Sequence, residues 1–397
     1  MTMDASRTHV VIAGAGIGGM AAAVLAARVG ASVTLLERAP DIRAVGAGIL
    51  LQPNGLAVLS GLGLDARLRA RGCAMAAATV HGADGSVLTD LRVPPFGPGL
   101  DRHLAVRRSV VHEVLHDAVT AEPAIETRLA TTVTAAEPAG VVVTADGDRV
   151  RGDLVVGADG VHSAVRRTGG FAARDRSGHV YVRGLVPAGG DLVPGESWTA
   201  LGLFGGAPVD DRTWYFYASA SAPEVRTAVD ARDLDALRRA WEPVSATAAQ
   251  VLGRVESFDD LLVNDVVRVD CARWYHERLV LLGDAAHAMS PTAGQGANSA
   301  LVDAAVLVAG LVAAPTIEDA LAGYDRRRRA AVARIQNRAD LLARLSHVRS
   351  PLARRLRDAA LYAAGRGQGG ERAVRAGQQV DPAALRSMVE TLTRAGR

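Results

Sequence analysis

The sequence predicts an α/β protein: a parallel sheet interleaved with a second, mainly antiparallel sheet, followed by C-terminal helices. Three observations point there. The apolar run Val10 to Ala13 ends in glycines, as a buried parallel strand does. Apolar runs of the same kind return at Leu154 to Val156 and at Leu279 to Leu282, so the chain comes back to one sheet. Between about 178 and 267 the pattern changes to aromatic and β-branched runs separated by turn residues.

Taken in order, Ile17 to Arg28 reads as a helix with small residues facing the first strand, and Ser32 to Leu36 as a second strand. "GAGILLQPNGLAVL" enters a helix near Pro53-Asn54, where proline suits a first helical turn. Strands broken by "GADG" and "PPFGPG" occupy about 76 to 100, and a helix begins after Arg107. Val141 to Thr144, the turn "ADGD" and Leu154 to Val156 read as a hairpin leading back to the main sheet. "HVYVRGLVP" and "TWYFYAS" are strands of the second sheet, and "AVDARDLDALRRAWEPV" is a single helix inside that region. A helix begins near Asn298. The tail from about 317 is helical and weakens after Gly365 to Glu371.

These elements divide the chain into three parts. Residues 1–75, 101–177 and 268–345 form one discontinuous domain. Residues 76–100 and 178–267 form the second, and 346–397 a C-terminal helical segment.

Composition narrows the function. The chain has 397 residues, 49% of them apolar but only 4% aromatic, so Ala, Val and Leu must fill most of the interior. All 45 basic residues are Arg, which excludes any mechanism that needs a lysine. From Ile317 onward there are 17 Arg against 8 acids, a local charge of +9 in a chain of net +3. Interleaved apolar residues make this a set of packed helices with solvated faces rather than a nucleic-acid-binding tail. Two cysteines form no disulfide framework, and a reduced, cytoplasmic protein is expected. No uninterrupted apolar run of membrane-spanning length occurs, so no membrane partner is expected, and no metal centre either. "HVVIAGAG" reads as a buried strand, not a signal peptide.

Three loops carry chemistry. "GAGIGG" sets Gly14, Gly16 and Gly19 in a G-x-G-x-x-G pattern between a strand and a helix. The first glycine allows the turn, the second admits a pyrophosphate to the backbone, and the third lets helix and strand pack closely. The helix N-terminus adds free N–H groups and positive partial charge. Glu37, at the end of the second strand, can accept bonds from both ribose hydroxyls and would repel a 2′-phosphate, so the site prefers FAD or NAD over NADP.

The second loop is "GDAAHAMSPTAGQGANSALVDA", from Gly283 to Ala304. Asp284 offers acceptors to sugar-alcohol hydroxyls, Pro291 stiffens the loop, and Gly294 and Gly296 expose backbone N–H groups at a helix start. A flavin suits that arrangement: a ribityl chain for Asp284, and negative charge near N1 and O2 for the helix N-terminus. The third, "DLVVGADGVHSAVR", again brings a glycine-flanked Asp159 to a helix start; alone it reads equally well as a turn with an N-cap.

Together the three motifs resemble those of the group A FAD-dependent monooxygenases, the p-hydroxybenzoate hydroxylase-like and salicylate hydroxylase-like aromatic hydroxylases, over about residues 10 to 345. The resemblance implies a Rossmann-like FAD-binding domain with a substrate domain. It implies that Gly14, Gly16, Gly19, Glu37 and Arg38 hold the ADP part. Arg108, with Arg107 as its neighbour, and Asp159 lie at the FAD, with Arg43 near the ring. Gly283, Asp284 and Pro291 hold the ribityl and pyrophosphate oxygens, and Gly294, Gln295, Gly296, Ala297 and Asn298 face the isoalloxazine. Arg166 accompanies Asp159 on the reductant's path. His287 belongs to the cofactor loop rather than the substrate pocket. Val302-Asp303 departs from the family's usual Glu-Asp pair, with a consequence expected only in helix packing.

The implied reaction has NADH or NADPH, bound transiently, reducing FAD. O2 then adds at C4a, and the hydroperoxide passes one oxygen to an aromatic or polycyclic small molecule. An FAD-dependent epoxidase of an alkene, and an FAD-binding dehydrogenase or reductase without oxygenase activity, remain alternatives. A flavin halogenase does not fit, because its lysine and W-x-W-x-I-P motif are missing. In the second domain Arg183 can bind an acidic group and Tyr217 can orient or deprotonate a phenol. Trp214, Phe216 and Ala218 share one strand face, Tyr215 and Tyr217 the other, and the sequence does not say which faces inward. A monomer or homodimer is expected.

Overall fold

The structure is a computed structural model and describes residues 8–42 and 47–395; Arg43 lies outside the described residues. Its centre is a six-stranded sheet in the order Tyr275–His276, Leu279–Leu281, Leu154–Gly157, His9–Ala13, Ser32–Leu36, Ile125–Arg128, parallel except for the first pair. The helix Ile17–Arg28 is buried along nearly its whole length because alanines and glycines line it. It packs against Gly296–Ala313, an 18-residue helix long and apolar enough to span a membrane. That helix is instead the centre of the fold, also touching Pro53–Gly61.

A seven-stranded sheet runs Leu262–Cys271, Ala173–Pro187, Thr213–Ser219, Gly202–Pro208, Gly195–Thr199, Ala77–Gly82, Val87–Arg92, with one parallel pair, Gly195–Thr199 on Ala77–Gly82. Positions 177 and 267 fall inside the ribbon formed by its first two strands. That 15-residue strand and its partner are paired on both sides of these positions, so no linker lies there. One face of this sheet buries Trp214, Phe216, Ala218 and Phe204 against helices carrying Trp241 and Val251. The opposite face, with Tyr215 and Tyr217, looks toward the parallel sheet and the C-terminal helices.

Three local expectations are corrected. Val141–Thr144 makes its hairpin with Arg149–Arg151, and Leu154–Gly157 joins the parallel sheet directly. The stretch read as one helix is two, Pro223–Asp230 and Leu234–Trp241. Arg232 takes a left-handed φ of 54° between them, and the Asp233 side chain caps the second by accepting from Ala236 N. The tail does not weaken after Gly365. The 30-residue helix Ile317–Ser346 is followed by Pro351–Gly365, Gly369–Gly377 and Pro382–Ala395. Leu385 and Val389 of the last helix sit in the main core, and Val389 packs where Gly61 leaves room for it.

Candidate functional site

The first glycine loop fits a dinucleotide on steric grounds. Gly14 has φ +101°, and a Cβ there would lie 2.5 Å from the Ala158 carbonyl oxygen. A Cβ on Gly19 would lie 2.0 Å from the Gly14 oxygen, so helix and strand approach only because both residues are glycine. A Cβ on Gly16 would meet nothing within 4 Å; its backbone opens on a groove where a pyrophosphate can approach. Glu37 closes the loop from the second strand, its Oε2 accepting from Ala15 N at 2.7 Å and its Oε1 from Ala39 N at 2.9 Å.

Asp159 stands against this loop. Its Oδ2 accepts from Ala164 N and Val165 N, capping the short helix there, and its buried Oδ1 has no hydrogen-bond partner among the described residues. Arg166 is buried and donates to the carbonyls of Ala285 and Val161 at 2.8 and 2.7 Å, with Asp175 beyond. Its observed work is to tie the third motif to the second.

Arg108 and Asp284 both line the groove that continues from Gly16. Burial lowers the Arg108 guanidinium from its ordinary value; the Asp284 carboxylate opposes that shift, and Arg183 adds to it. Arg107 turns the other way and pairs with Asp210 at 2.6 Å, in the turn between the strands Gly202–Pro208 and Thr213–Ser219. The arginine facing the groove is therefore Arg108.

The Gly283–Asn298 loop lines the same cavity through Gly283, Pro291, Gly294 and Gln295 to Asn298. Its polar side chains are largely spent on holding its shape. Asn298 Oδ1 accepts from Gln52 N, while its Nδ2 donates to the Leu50 and Gly294 carbonyls. Gln295 Nε2 donates to Gln52 Oε1 at 2.7 Å, and its Oε1 accepts from Asn54. Backbone N–H groups at the start of Gly296–Ala313 are what the loop presents, with about half a unit of positive charge from the helix.

Asp303 carries more than helix packing. Completely buried, it accepts from Gly283 N at 3.2 Å, contacts His287 Nε2 at 2.5 Å and accepts from Arg328 Nε at 2.7 Å. Burial alone would push its carboxyl up, but His287 and Arg328 hold it below the ordinary value. His287 is 1% exposed and packs at a tilt against Trp274, so it supports the Gly283 turn and reaches no substrate.

The groove continues into a cavity under the antiparallel sheet; groove and cavity together enclose about 610 Å³. Arg183, Tyr215 and Tyr217 project into it, which answers the face question left open by alternation. Two glycines make room for the tyrosines: a Cβ on Gly48 would lie 2.3 Å from the Tyr215 ring, and one on Gly205 2.6 Å from Tyr217. Arg183 and Tyr217 are directly opposite on adjacent strands.

Sequence reasoning missed Glu196. Its Oε1 accepts from the Tyr217 hydroxyl at 2.7 Å and its Oε2 from Trp198 Nε1 at 3.0 Å. Burial pushes the Glu196 carboxyl up from its ordinary value against those two bonds. Burial, with the Glu196 charge adding, pushes the Tyr217 phenol well up. Tyr217 therefore keeps its proton, directed at Glu196, and cannot be the base that deprotonates a phenol. The available signal was the acid–aromatic pair Glu196 and Trp198, two apart in a strand and so on one face. The C-terminal helices were missed as well: Leu361, Ala364, Ala373 and Val374 wall the far side of the cavity.

Comparison with known proteins agrees with this geometry. The FAD binding domain family matches residues 7–339. A 3-amino-4-hydroxybenzoate 2-monooxygenase of Streptomyces cremeus is 34% identical over 362 residues, 86% of this chain and 88% of that one. A 2-heptyl-3-hydroxy-4(1H)-quinolone synthase of Pseudomonas aeruginosa is 34% identical over 86% of this chain and 90% of its own. Among solved structures, a tetrameric form of 2-methyl-3-hydroxypyridine-5-carboxylic acid oxygenase superposes with a TM-score of 0.73 at 26% identity, covering 94% of this chain and 97% of that one. The glycine loop, the Gly283-Asp284 turn and these similarities together establish that the chain belongs to the FAD binding domain family, among the group A FAD monooxygenases.

Proposed function

We propose that this chain is an FAD-dependent monooxygenase that uses NADH or NADPH and O2 to hydroxylate an aromatic or polycyclic small molecule. One observation carries the reading: the dinucleotide groove at Gly16–Gly19 and the cavity holding Arg183, Tyr215, Tyr217 and Glu196 are a single continuous space. A flavin held along the groove would present its ring to that cavity. The relatives support the chemistry: two are named for oxygenation of aminohydroxybenzoate and hydroxypyridine rings, and a third for synthesis of a hydroxyquinolone.

FAD, when bound, supplies the redox chemistry, taking a hydride from the nicotinamide and activating O2. The remaining roles belong to the chain. Gly14, Gly16 and Gly19 admit the pyrophosphate to the helix N-terminus, and Glu37, with Arg38 beside it, receives the adenosine ribose. Arg108 and Asp284 would meet phosphate and ribityl oxygens; Asp159 stands against the first loop with its Oδ1 left unpartnered among the described residues. Gly283 and Pro291 shape the second loop, and the backbone N–H groups of Gly294 to Asn298 would stabilise negative charge on a flavin ring held there.

In the substrate cavity, Arg183 faces acidic or carbonyl oxygens of the substrate. Tyr217 donates its hydroxyl hydrogen bond to Glu196 at 2.7 Å, so its oxygen presents lone pairs to the cavity. It therefore accepts from a ring hydroxyl or amino group and orients it. Such a bond draws electron density toward the ring position to be attacked. The apolar wall of Leu361, Ala364, Ala373 and Val374 keeps water from the reacting face.

The test is a screen of hydroxylated and aminated aromatic acids, quinolones and pyridines for substrate-dependent NADH or NADPH consumption, with product mass read under isotopically labelled O2. One labelled oxygen in the product supports the reading. NAD(P)H consumption that yields only a reduced product, with no labelled oxygen incorporated into any of these rings, rejects it.

A further inference from the structure

The geometry points to Gln379, in the C-terminal segment beyond the matched residues 7–339, as the positioning residue that locks both cofactor loops into shape for FAD. This inference rests on the FAD reading above.

Gln378 and Gln379 lie between the helix Gly369–Gly377, which walls the cavity, and the helix Pro382–Ala395, which is anchored in the main core. Gln379 has a φ of 68°, a left-handed conformation that costs a non-glycine residue about 1 kcal/mol or more. What the surrounding structure gains there is a set of buried hydrogen bonds. Asn54, itself fully buried, donates its backbone N–H to Gln378 Oε1 at 3.0 Å and its Nδ2 to the Gln378 carbonyl at 3.1 Å. Gln379 Nε2 donates to Gln295 Oε1 at 3.2 Å and to Ser299 Oγ at 2.7 Å, and Gln379 Oε1 accepts from Arg328 Nη2 at 2.7 Å.

One amide therefore reaches both loops. It touches the Gln295 loop directly. It reaches the Gly283 turn through Arg328 and Asp303, whose other oxygen accepts from Gly283 N. The arrangement also fixes the Gln295 amide. Donors from Asn54 and Gln379 converge on its oxygen, so its nitrogen must point at Gln52 Oε1, as observed. Arg328 Nη1 has no hydrogen-bond partner among the described residues, so losing Gln379 would leave Nη2 with only its 3.5 Å contact to the Ser299 carbonyl in a buried site. The backbone from Gly294 to Asn298 would then no longer be held where a flavin ring needs it.

The experiment is equilibrium binding of FAD to flavin-stripped, full-length protein, read by quenching of FAD fluorescence, with the bound flavin's visible spectrum and the thermal midpoint of each protein alongside. Gln379→Leu keeps the volume and removes every polar contact; it should weaken FAD binding about tenfold, the scale of one or two lost buried hydrogen bonds. Gln379→Gly relieves the left-handed backbone but also deletes the side chain, so binding should weaken as in the leucine variant even if the protein melts no lower. Gln379→Glu keeps the acceptor for Arg328 and loses the donor to Gln295, so it should bind with intermediate affinity and a partly restored flavin spectrum. Variants that melt lower yet bind FAD as tightly as wild type, with an unchanged spectrum, would overturn the assignment. Wild-type protein that binds no FAD would instead reject the parent reading.

Discussion

Replacing Asp303 by asparagine tests the buried centre of the site. The substitution preserves shape and removes one negative charge from a position that is 0% exposed. Asp303 serves three donors: Gly283 N, His287 Nε2 and Arg328 Nε. An amide has one oxygen and a donating nitrogen, so it leaves at least one unmet and leaves the Arg328 guanidinium buried without a counter-charge. Breaking a buried charge pair from one side costs about 3–5 kcal/mol, against a total stability of about 5–15 kcal/mol. With an unfolding entropy of about 2.1 cal/mol/K per residue, a chain of 397 residues gains about 0.8 kcal/mol/K at its midpoint. The expected fall in melting temperature is therefore about 4–6 °C. Because Asp303 also holds the Gly283 turn, the loss of flavin fluorescence quenching on heating should begin before the far-ultraviolet circular dichroism changes. The assay is a thermal melt of the holoprotein followed by both signals. A variant melting within about 1 °C of wild type, with both signals coincident, would refute the argument that this carboxylate organises the cofactor turn.

Other outcomes follow from the same contacts. Glu196→Gln should become relatively more stable than wild type as pH rises above about 4.5, the ordinary carboxyl value, and through the raised value of the folded state. In that window the unfolded chain has released the proton that the folded chain still binds, so wild-type stability falls with pH; melts from pH 4 to pH 8 check this, and parallel curves would count against it. The same variant reverses the bond to Tyr217 and turns its proton into the cavity, so substrates bearing a hydroxyl or amino donor should show a KM raised roughly tenfold; an unchanged KM for such substrates would contradict the Tyr217 role. Gly205→Ala places a Cβ 2.6 Å from Tyr217 and should push the ring into the cavity, raising KM while costing about 1–3 kcal/mol of stability. Arg166→Met strips the Ala285 and Val161 carbonyls of a donor, and chemical denaturation should show a loss of about 2–4 kcal/mol; a loss below about 1 kcal/mol would show that Arg166 does not clamp the third motif.

The parts of the site legible in the sequence are those where backbone does the work. Gly14 and Gly19 had to be glycine for reasons that local geometry imposes, Gly16 only so that a ligand can approach, and the helix starts at Ile17 and near Asn298, observed at Gly296, follow from the same loops. The acid Glu37 was readable because its place is set by the strand it ends. Side-chain partnerships over long separations were not. Gln379 lies 84 positions from Gln295 and Gln378 lies 324 from Asn54, and no periodicity links them. Strand alternation paired Tyr215 with Tyr217 but left the cavity side open, because the helices covering the opposite face come from a region misread as one helix. Asp303 looked like packing because its helix is buried all round, and only the folded chain brings Arg328 and His287 to it.

The most direct test of the central claim is an equilibrium titration of FAD into the flavin-stripped, full-length protein, with an Arg108→Ala, Asp284→Ala double variant measured in parallel. One groove running from Gly16 through Arg108 and Asp284 to Gln295 predicts saturation at one FAD per chain in wild type and a loss of affinity of at least tenfold in the variant. No saturable binding, or equal binding by both proteins, would contradict it.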